Sequence, residues 1–237
     1  MLAVGTHNDS RQHRLRLLLF PVAAVAVFAT MYVLYSGLST IHELDSIEAQ
    51  RDTWQRPSDV IGALKIHEGS VVADLGSGAG YFTLKLSKVV GSSGNVLAVD
   101  LRKLSLSFLW IRAAFRPPHN IQIIAGDVDD PHLPAQAIDA VLIANTYHEF
   151  QNPGLMLDHV FRSLRADGRL VILDRNPSDD DSASIGYPHG TTMDSTVDAL
   201  SQHGFNVTTR LAGFIDRPGE DHWWLAVGIK NSRPPRE

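Results

Sequence analysis

Three glycines close behind an acid form the most distinctive chemical feature of the sequence. In the stretch VVADLGSGAGYF, Asp74 is followed by Gly76, Gly78 and Gly80. Glycine inside a regular element costs roughly 0.5–1 kcal/mol relative to alanine, so this run predicts a backbone that turns sharply or meets a ligand closely. Another acid, Asp100, ends the next apolar run, 20 positions after Gly80. A glycine turn followed by a carboxylate at this distance is typical of a nucleoside site, with the carboxylate on the ribose hydroxyls.

The spacing of the glycines distinguishes between kinds of nucleoside site. Dinucleotide-binding folds carry G-x-G-x-x-G and direct the following helix at a pyrophosphate. Here the pattern is G-x-G-x-G, and Tyr81 stands at the sixth position. Asp74 lies inside the apolar run just before the loop, where a carboxylate disfavours a pyrophosphate and favours a ligand with a cationic amine. The pattern therefore argues against a nicotinamide dinucleotide.

The elements that must position these residues alternate between strands and helices. Seven apolar runs are predicted as strands: VVADL, NVLAVD, IQIIAGD, IDAVLIAN, RLVILD, NVTTRLAGFI and WWLAVGIK. Helices are predicted over residues 60–66, 81–90, 104–115, 153–168 and 191–205, the fourth of these ending at Gly168. Nearly continuous apolar strands between helices predict a parallel sheet covered on both faces. The last two strands have no helix between them and are predicted to form an antiparallel hairpin.

Ligands of such sheets bind at the carboxyl ends of the strands. The chemistry-bearing residues fall at those ends: the glycine loop, Asp100, Asp127, Asn145 and Asp174. We therefore expect them to meet at one edge of the sheet.

The stretches WQRPSDVI and DDPHLP resemble a bacterial-type small-molecule subgroup of the class I S-adenosylmethionine-dependent methyltransferases. Five other stretches, in order, resemble the motifs of the whole class. They are ADLGSGAGYF, LAVD, AGDVDD, IDAVLIANTYHEF and LRADGRLVILD. The resemblance covers roughly residues 55–230 and implies a methyltransferase domain over 57–232. It also implies a Rossmann-like, doubly wound α/β fold whose seven-stranded sheet is mostly parallel with an antiparallel C-terminal hairpin.

The resemblance further implies S-adenosylmethionine as the cofactor. The loop backbone would hold its methionine part, with Asp74 orienting the amine, Asp100 on the ribose and Asp127 on the adenine. The implied cofactor residues are Asp74, Gly76, Ser77, Gly78, Gly80, Asp100, Asp127 and Asn145. The alternative is that the glycines form only a tight turn and that the acids are only polar strand ends.

The stretch NTYHEF, after the fourth strand, lies where a methyl acceptor would approach. Methyl transfer depends on alignment of donor and acceptor and on a base when the acceptor loses a proton. His148 is the candidate base, because imidazole titrates near neutrality, with Glu149 orienting it. Asn145 and Tyr147 are candidates for contact with the acceptor or the sulfur. The alternative is a loop whose polar groups satisfy its own backbone.

A polar segment after the fifth strand, residues 176–190, is predicted to cover the acceptor. His189 within it is a second acid–base candidate. The alternative for its acidic run is plain solvated charge.

Composition excludes several other functions. The chain has no cysteine, which excludes disulfides, thiolate metal sites and a cysteine nucleophile. Its net charge of −5 and the absence of an Asn/Asp-Pro-Pro-aromatic motif argue against nucleic acid as a partner. The histidines show no close ligand pair, and Asn145 stands where magnesium-dependent relatives carry a carboxylate. No metal is therefore expected.

The N-terminal segment differs in kind from the rest. After a basic flank over residues 1–16, residues 17–37 are uncharged, apolar and long enough to cross a bilayer. A helix-compatible linker over 38–56 leads to the domain. We expect a retained single-pass membrane anchor; a cleaved signal peptide, a targeting presequence and a buried helix are the alternatives. An anchor suggests a small or lipid-like acceptor such as a quinone, although it can equally serve only to localise the enzyme.

Two features of the sequence give opposite predictions for the side of the membrane on which the domain lies. Arg11, Arg14 and Arg16 precede the span and acids follow it, which favours a domain outside the cytosol. S-adenosylmethionine is made in the cytosol, and we therefore expect the domain on the cytosolic face. Two rival functions stay open: a non-catalytic cofactor-binding or assembly protein, and a nicotinamide-dependent oxidoreductase.

Overall fold

The computed structural model of the protein describes residues 7–177, 190–216 and 222–231. Side chains are described from Val25 onward, except at position 34. The chain divides into two compact units, Met1–Gln50 and Arg51–Glu237.

The described residues of the first unit form one long helix. Helix α1 runs from His7 to Asp52 and ends two residues into the second unit. It passes through the boundaries expected at residues 16 and 37 without a break. Over Val25–Asp52 it is long enough to cross a bilayer, and it contains an 18-residue stretch with a mean hydropathy of 1.3. A signal sequence near an N-terminus meets the same criterion.

The second unit is built on a seven-stranded sheet. Its strands are β1 (Val71–Leu75), β2 (Asn95–Asp100), β3 (Ile121–Ala125), β4 (Ile138–Ala144), β5 (Leu164–Arg175), β6 (Phe205–Asp216) and β7 (His222–Lys230). The strand order is β3-β2-β1-β4-β5-β7-β6. The first five strands pair in parallel, whereas β7 is antiparallel to both β5 and β6. This confirms the α/β fold with an antiparallel C-terminal hairpin.

Helices connect the strands and cover the sheet on two sides. They are α2 (Pro57–Leu64), α3 (Tyr81–Val90), α4 (Lys103–Ala114), α5 (Pro153–Ser163) and α6 (Met193–Gln202). One core cluster packs α5 and α6 against the sheet, and a second packs α2 and α3. Alternate residues of β1 serve the two clusters: Ala73 belongs to the first and Val72 to the second. The period of two in a strand thus gives both faces an apolar surface.

The end of α5 differs from the sequence expectation. The helix predicted over 153–168 ends at Ser163, and β5 begins at Leu164 instead of Arg169. Leu164 is fully buried and pairs with Ile138, and an irregularity then shifts the register before Arg169. Asp167, with φ of 60°, makes the left-handed turn within this irregularity. Gly168 therefore lies inside an irregular strand and does not cap a helix.

Candidate functional site

A cleft opens at the carboxyl ends of the central strands, where the sequence predicted a ligand site. It is lined by residues from the ends of β1 and β2, the segment after β3, the turn after β4, and α5: Leu75, Gly76, Val99, Asp100, Leu101, Arg102, Gly126, Asp127, Val128, Pro131, Thr146, Glu149, Phe150, Gln151 and Met156. Its walls are largely apolar, with carboxylates at three points. This combination suits a flat heterocycle linked to a polyol.

The glycine loop is held against β2 by backbone hydrogen bonds. The amides of Gly76 and Ser77 both donate to the carbonyl of Val99, at 2.8 and 3.0 Å. Gly76 has φ of 82°, and a Cβ there would overlap the Thr146 side chain. Gly80 has φ of 101° and lies so close to Leu109 of α4 that a Cβ would be only 2.5 Å from its Cδ1. Both positions require glycine for the fold itself.

Gly78 differs from these two glycines. Its φ is 54°, yet a Cβ there would have no neighbour within 4 Å. Packing therefore does not require a glycine at this position, although the left-handed backbone favours one. The space in front of Gly78 is open, as a close approach by a ligand requires.

Asp100 joins the glycine loop to the start of α4. Its buried carboxylate accepts from the Gly78 amide at 2.8 Å and from the Arg102 amide at 2.8 Å. The Arg102 guanidinium also pairs with it, with Nε at 3.2 Å. This contact with Asp100 raises the pKa of Arg102. A ribose on Asp100 would exchange with the guanidinium, whose side chain is largely exposed.

Asp74 lies beneath the loop and does not line the cleft. It is buried, and Thr83 Oγ1 of α3 donates to its carboxylate at 2.5 Å. Burial, helped by the neighbouring Asp100 charge, raises the pKa of Asp74 to about 6, against the lowering effect of the Thr83 hydrogen bonds. The charge of an ionised Asp74 can therefore attract a cationic ligand at a distance. Its carboxylate itself does not line the cleft.

Asp127 lines the cleft from the segment after β3. Its side chain is exposed and lies 3.1 Å from His132 Nε2. The apolar Val128 and Pro131 line the cleft beside it. A carboxylate between apolar residues is the environment that an adenine ring with an exocyclic amine would fit.

Two buried polar atoms near the loop have no partner in the described part of the chain. They are Ser77 Oγ and Asn145 Oδ1. Asn145 also has φ of 55°, which holds the residue after β4 in the left-handed conformation. Buried oxygens without partners are costly, and a ligand ammonium would supply the missing donors. The residues present therefore fit an adenosyl ligand that carries a cationic amine.

His148 is held by Asp174 at the end of β5. Its Nδ1 lies 2.8 Å from Asp174 Oδ1, and its amide donates to Oδ2 at 3.1 Å. Both side chains are almost fully buried, and neither residue is among those that line the cleft. The orienting partner expected for His148 was Glu149, but the structure places Asp174 there, because Glu149 turns outward onto the cleft wall near Arg102. With Nδ1–H on Asp174, Nε2 is left as the basic nitrogen.

Tyr147 and His189 are the other two candidates near the acceptor side. Tyr147 is buried beside Phe150, and burial together with the nearby Asp174 charge raises its pKa to about 12. Most of the segment 176–190, with His189, lies outside the described residues. Within the described ranges, no group of three or more His, Asp or Glu side chains is arranged to hold a metal ion.

Three contacts in this site were not predicted from the sequence. They are the ion pair of Arg102 with Asp100, the hydrogen bond from Thr83 to Asp74, and the pairing of Asp174 with His148. Arg102 follows Asp100 by two positions, so a basic residue next to a strand-end acid was the available signal. Thr83 and Asp174 gave none, because their contacts depend on how α3 and the short 3-10 helix over Tyr147–Glu149 pack.

Comparison with known proteins identifies the family. The family model described as "Methyltransferase domain" matches residues 66–216. The demethylmenaquinone methyltransferase of Lactobacillus johnsonii is 31% identical over 128 residues, covering 52% of this chain and 51% of that protein. A ubiquinone/menaquinone biosynthesis C-methyltransferase of a Marinomonas species is 22% identical over 178 residues, covering 75% and 65%. The chain thus spans about half to two thirds of the length of these relatives.

Solved structures agree in fold. A SAM-dependent methyltransferase from Aquifex aeolicus superposes with a TM-score of 0.66 at 23% identity, covering 81% of this chain and 97% of that one. A phosphoethanolamine N-methyltransferase of Haemonchus contortus, in complex with S-adenosyl-L-methionine, has a TM-score of 0.64 at 11% identity, covering 76% and 53%. The family match, the strand order and the cleft agree with one another, and the chain belongs to the methyltransferase-domain family as a class I S-adenosylmethionine-dependent methyltransferase.

Proposed function

We propose that this protein is a membrane-anchored methyltransferase whose acceptor is a lipophilic quinol. The observation that carries the proposal is helix α1. Every described large apolar side chain from Val25 to Leu38 is exposed, and such a surface is stable in hydrocarbon and costly in water. An enzyme tethered there meets acceptors that partition into the bilayer. Two relatives, named for ubiquinone, menaquinone and demethylmenaquinone, support a quinone-type acceptor.

The cleft residues are assigned to the cofactor as follows. Asp100 takes the ribose hydroxyls after releasing Arg102, and Asp127 takes the adenine amine. The loop and the turn after β4 hold the amino-acid part, and Asp74 favours its ammonium through the field of a nearby buried carboxylate. The residues of that part are Gly76, Ser77, Gly78, Gly80 and Asn145. When bound, the cofactor supplies a methyl group that is already activated on a sulfonium.

His148 is assigned as the general base toward the acceptor. Asp174 accepts the Nδ1–H hydrogen bond and fixes the tautomer, so that Nε2 can take the proton of a quinol hydroxyl. Loss of this proton moves electron density to the ring carbon that forms the new carbon–carbon bond. The ring carbon then loses its own hydrogen as a proton, and aromaticity returns. Glu149, on the cleft wall, is assigned a contact with the acceptor.

The test is turnover by the full chain in lipid vesicles. A demethylmenaquinol with a short prenyl tail would be supplied with S-adenosylmethionine, and the product followed by mass spectrometry as the gain of one methylene unit. We expect ring methylation, with kcat lowered on the order of 100-fold or more in His148→Ala. The matched control is His203→Ala, since His203 also pairs with an aspartate, Asp158 at 2.7 Å, but lies at the end of α6 and not in the turn after β4.

Three outcomes of this assay would contradict parts of the proposal. Equal turnover of the prenylated quinol and of its tail-less parent would argue that the anchor only localises the enzyme. Tight binding of S-adenosylmethionine without turnover of any quinol would overturn the acceptor and favour a cofactor-binding protein. Similar kcat in His148→Ala and His203→Ala would remove the general base.

A further inference from the structure

Residues 51–56 comprise the end of α1 and the turn into α2, and they belong to the compact unit that is built on the sheet. Asp52 accepts a hydrogen bond from the Tyr81 hydroxyl of α3 at 2.8 Å. The ring of Trp54 lies 6.0 Å from the ring of Trp223, near the start of β7. These contacts fix the segment to α3 and to the C-terminal hairpin.

Arg51 of this segment lies beside the start of α3, where the glycine loop ends. Its guanidinium carbon is 3.9 Å from the centroid of the Tyr81 ring, and Tyr81 directly follows Gly80. The charge of Arg51 also acts on the carboxylate beneath the loop. Burial raises the pKa of Asp74 to about 6, and the positive charge of Arg51 opposes that rise. The guanidinium is therefore close enough to the loop to act on a charged group held there.

Gln55 adds a buried donor next to this guanidinium. Arg51 Nε donates to Gln55 Oε1 at 2.8 Å, so the amide nitrogen Nε2 is the donor that Gln55 can offer to another group. The side chain of Gln55 is fully buried, and Nε2 has no hydrogen-bond partner within the described part of the chain. A buried donor without an acceptor costs about 1–3 kcal/mol. This site therefore favours a ligand that supplies an acceptor.

The buried polar atoms around the loop are complementary in kind. Ser77 Oγ and Asn145 Oδ1 are oxygens that can accept from an ammonium, whereas Gln55 Nε2 and the Arg51 guanidinium can only donate. A free amino-acid group carries both an ammonium and a carboxylate. Arginine binds carboxylates with two parallel hydrogen bonds, which are among the strongest in proteins. The donors of this segment therefore match the second charged group of such a ligand.

We propose that Arg51 and Gln55 form a carboxylate site for the amino-acid end of S-adenosylmethionine. The guanidinium bonds the carboxylate, Gln55 Nε2 donates a further hydrogen bond, and the Tyr81 ring holds the guanidinium in place. The inference rests on the cofactor of the family and goes beyond the proposed function, because it applies whatever the methyl acceptor is. An acidic acceptor is the other possible source of a carboxylate, and a cofactor analogue without this group distinguishes the two.

The test is calorimetric titration of the full chain in detergent with S-adenosylmethionine and with its decarboxylated form, which keeps the sulfonium and the amine. The wild type should bind the decarboxylated ligand at least tenfold more weakly. Arg51→Gln should bind S-adenosylmethionine at least tenfold more weakly and should change the affinity for the decarboxylated ligand less than twofold. Gln55→Met, which removes the donor at similar volume, should show the same pattern with a loss of about threefold.

Arg56→Gln is the matched control. Arg56 also stacks on an aromatic ring, with its guanidinium carbon 4.3 Å from the centroid of Phe214, but it pairs with Asp59. This variant should keep the wild-type affinity for both ligands.

Three outcomes would overturn the inference. Equal weakening of both ligands in Arg51→Gln would mean that Arg51 only supports the fold of the loop. Equal affinity of the wild type for both ligands would mean that the cofactor carboxylate has no site here, and would assign these donors to an acidic acceptor instead. Binding of neither ligand would overturn the cofactor assignment as well. Because only binding is measured, each outcome is independent of whether a quinol is methylated.

Discussion

At the scale of single residues, the loop glycines separate the needs of the fold from the needs of a ligand. Gly76 and Gly80 are required by the close approach of Thr146 and Leu109, whereas Gly78 faces open space. A substitution at each position therefore tests a different cause. Stability and cofactor affinity should respond separately.

We expect Gly78→Ala to weaken S-adenosylmethionine binding at least tenfold but to cost only about 1–2 kcal/mol of unfolding free energy, the cost of a left-handed alanine. Gly76→Ala should cost more than this in stability, because its Cβ would also overlap Thr146. Gly62→Ala, inside α2 with no neighbour in reach, is the control and should be neutral or stabilising by about 0.5–1 kcal/mol. Urea unfolding and calorimetric titration would measure the two quantities. If Gly78→Ala binds the cofactor as tightly as Gly62→Ala, the loop does not contact the ligand at that point.

Asp74 makes the stability of the free protein depend on pH. Burial raises its pKa from an ordinary value of 3.8 to about 6, so the folded protein holds a proton that the unfolded chain releases. This contribution to stability is fully present below about 3.8 and is lost as the pH rises through about 6. Ionised Asp74 thus destabilises the free protein at neutral pH, and a bound ammonium would offset that cost.

In Asp74→Asn this dependence should disappear, because the amide oxygen can still accept from Thr83 without titrating. Relative to the wild type, the variant should gain up to about 3 kcal/mol of stability between pH 4 and pH 7, and it should bind S-adenosylmethionine at least tenfold more weakly. Urea unfolding at several pH values, with calorimetry at pH 7, would measure both effects. Parallel pH profiles for the two proteins would mean that folding leaves the pKa of Asp74 near its ordinary value.

At the scale of elements, periodicity and turn residues were enough to predict the strands and most of the helices. All seven strands form where apolar β-branched runs stand, and the glycine loop after β1 lies where expected, between β1 and α3. The predicted boundary between α5 and β5 was wrong, because Leu164 and Arg165 fit the spacing of the preceding helix. Pairing of Leu164 with Ile138 takes precedence over that local pattern, and such pairing across 26 positions leaves no local signal.

The candidate site, like the fold, was predicted only in part. Residues at strand ends could be placed because parallel strands bring their carboxyl ends to one edge, and Gly76, Asp100 and Asp127 do line one cleft there. The choice of Asp174 over Glu149 as the partner of His148 could not be made, because a three-residue helix decides which side chain turns inward. Side-chain partners between elements are set by packing angles, which spacing along the chain does not encode.

At the scale of the whole molecule, the charges around the apolar helix α1 and the supply of the cofactor favour opposite orientations of the proposed anchor. Three arginines stand before the apolar part of α1, and three acids, Glu43, Asp45 and Glu48, stand after it. This asymmetry favours an N-terminus in the cytoplasm and hence a domain on the other side. The charge rule is a bias of modest free energy, and acids contribute little to it. A methyltransferase without its methyl donor, by contrast, has no activity at all, so the domain is expected on the side where the donor is made.

A reporter fused after Glu237 would decide between these demands. We expect a C-terminal green fluorescent protein to fluoresce and a C-terminal alkaline phosphatase to stay inactive, because the first folds in the cytosol and the second needs an oxidising compartment. Replacing Arg11, Arg14 and Arg16 by glutamine is the control, and it should leave the result unchanged if donor supply has fixed the orientation. An active phosphatase fusion would place the domain outside the cytosol. Methyl transfer there would then require donor that has crossed the membrane, and the cytosolic orientation proposed for this enzyme would have to be abandoned.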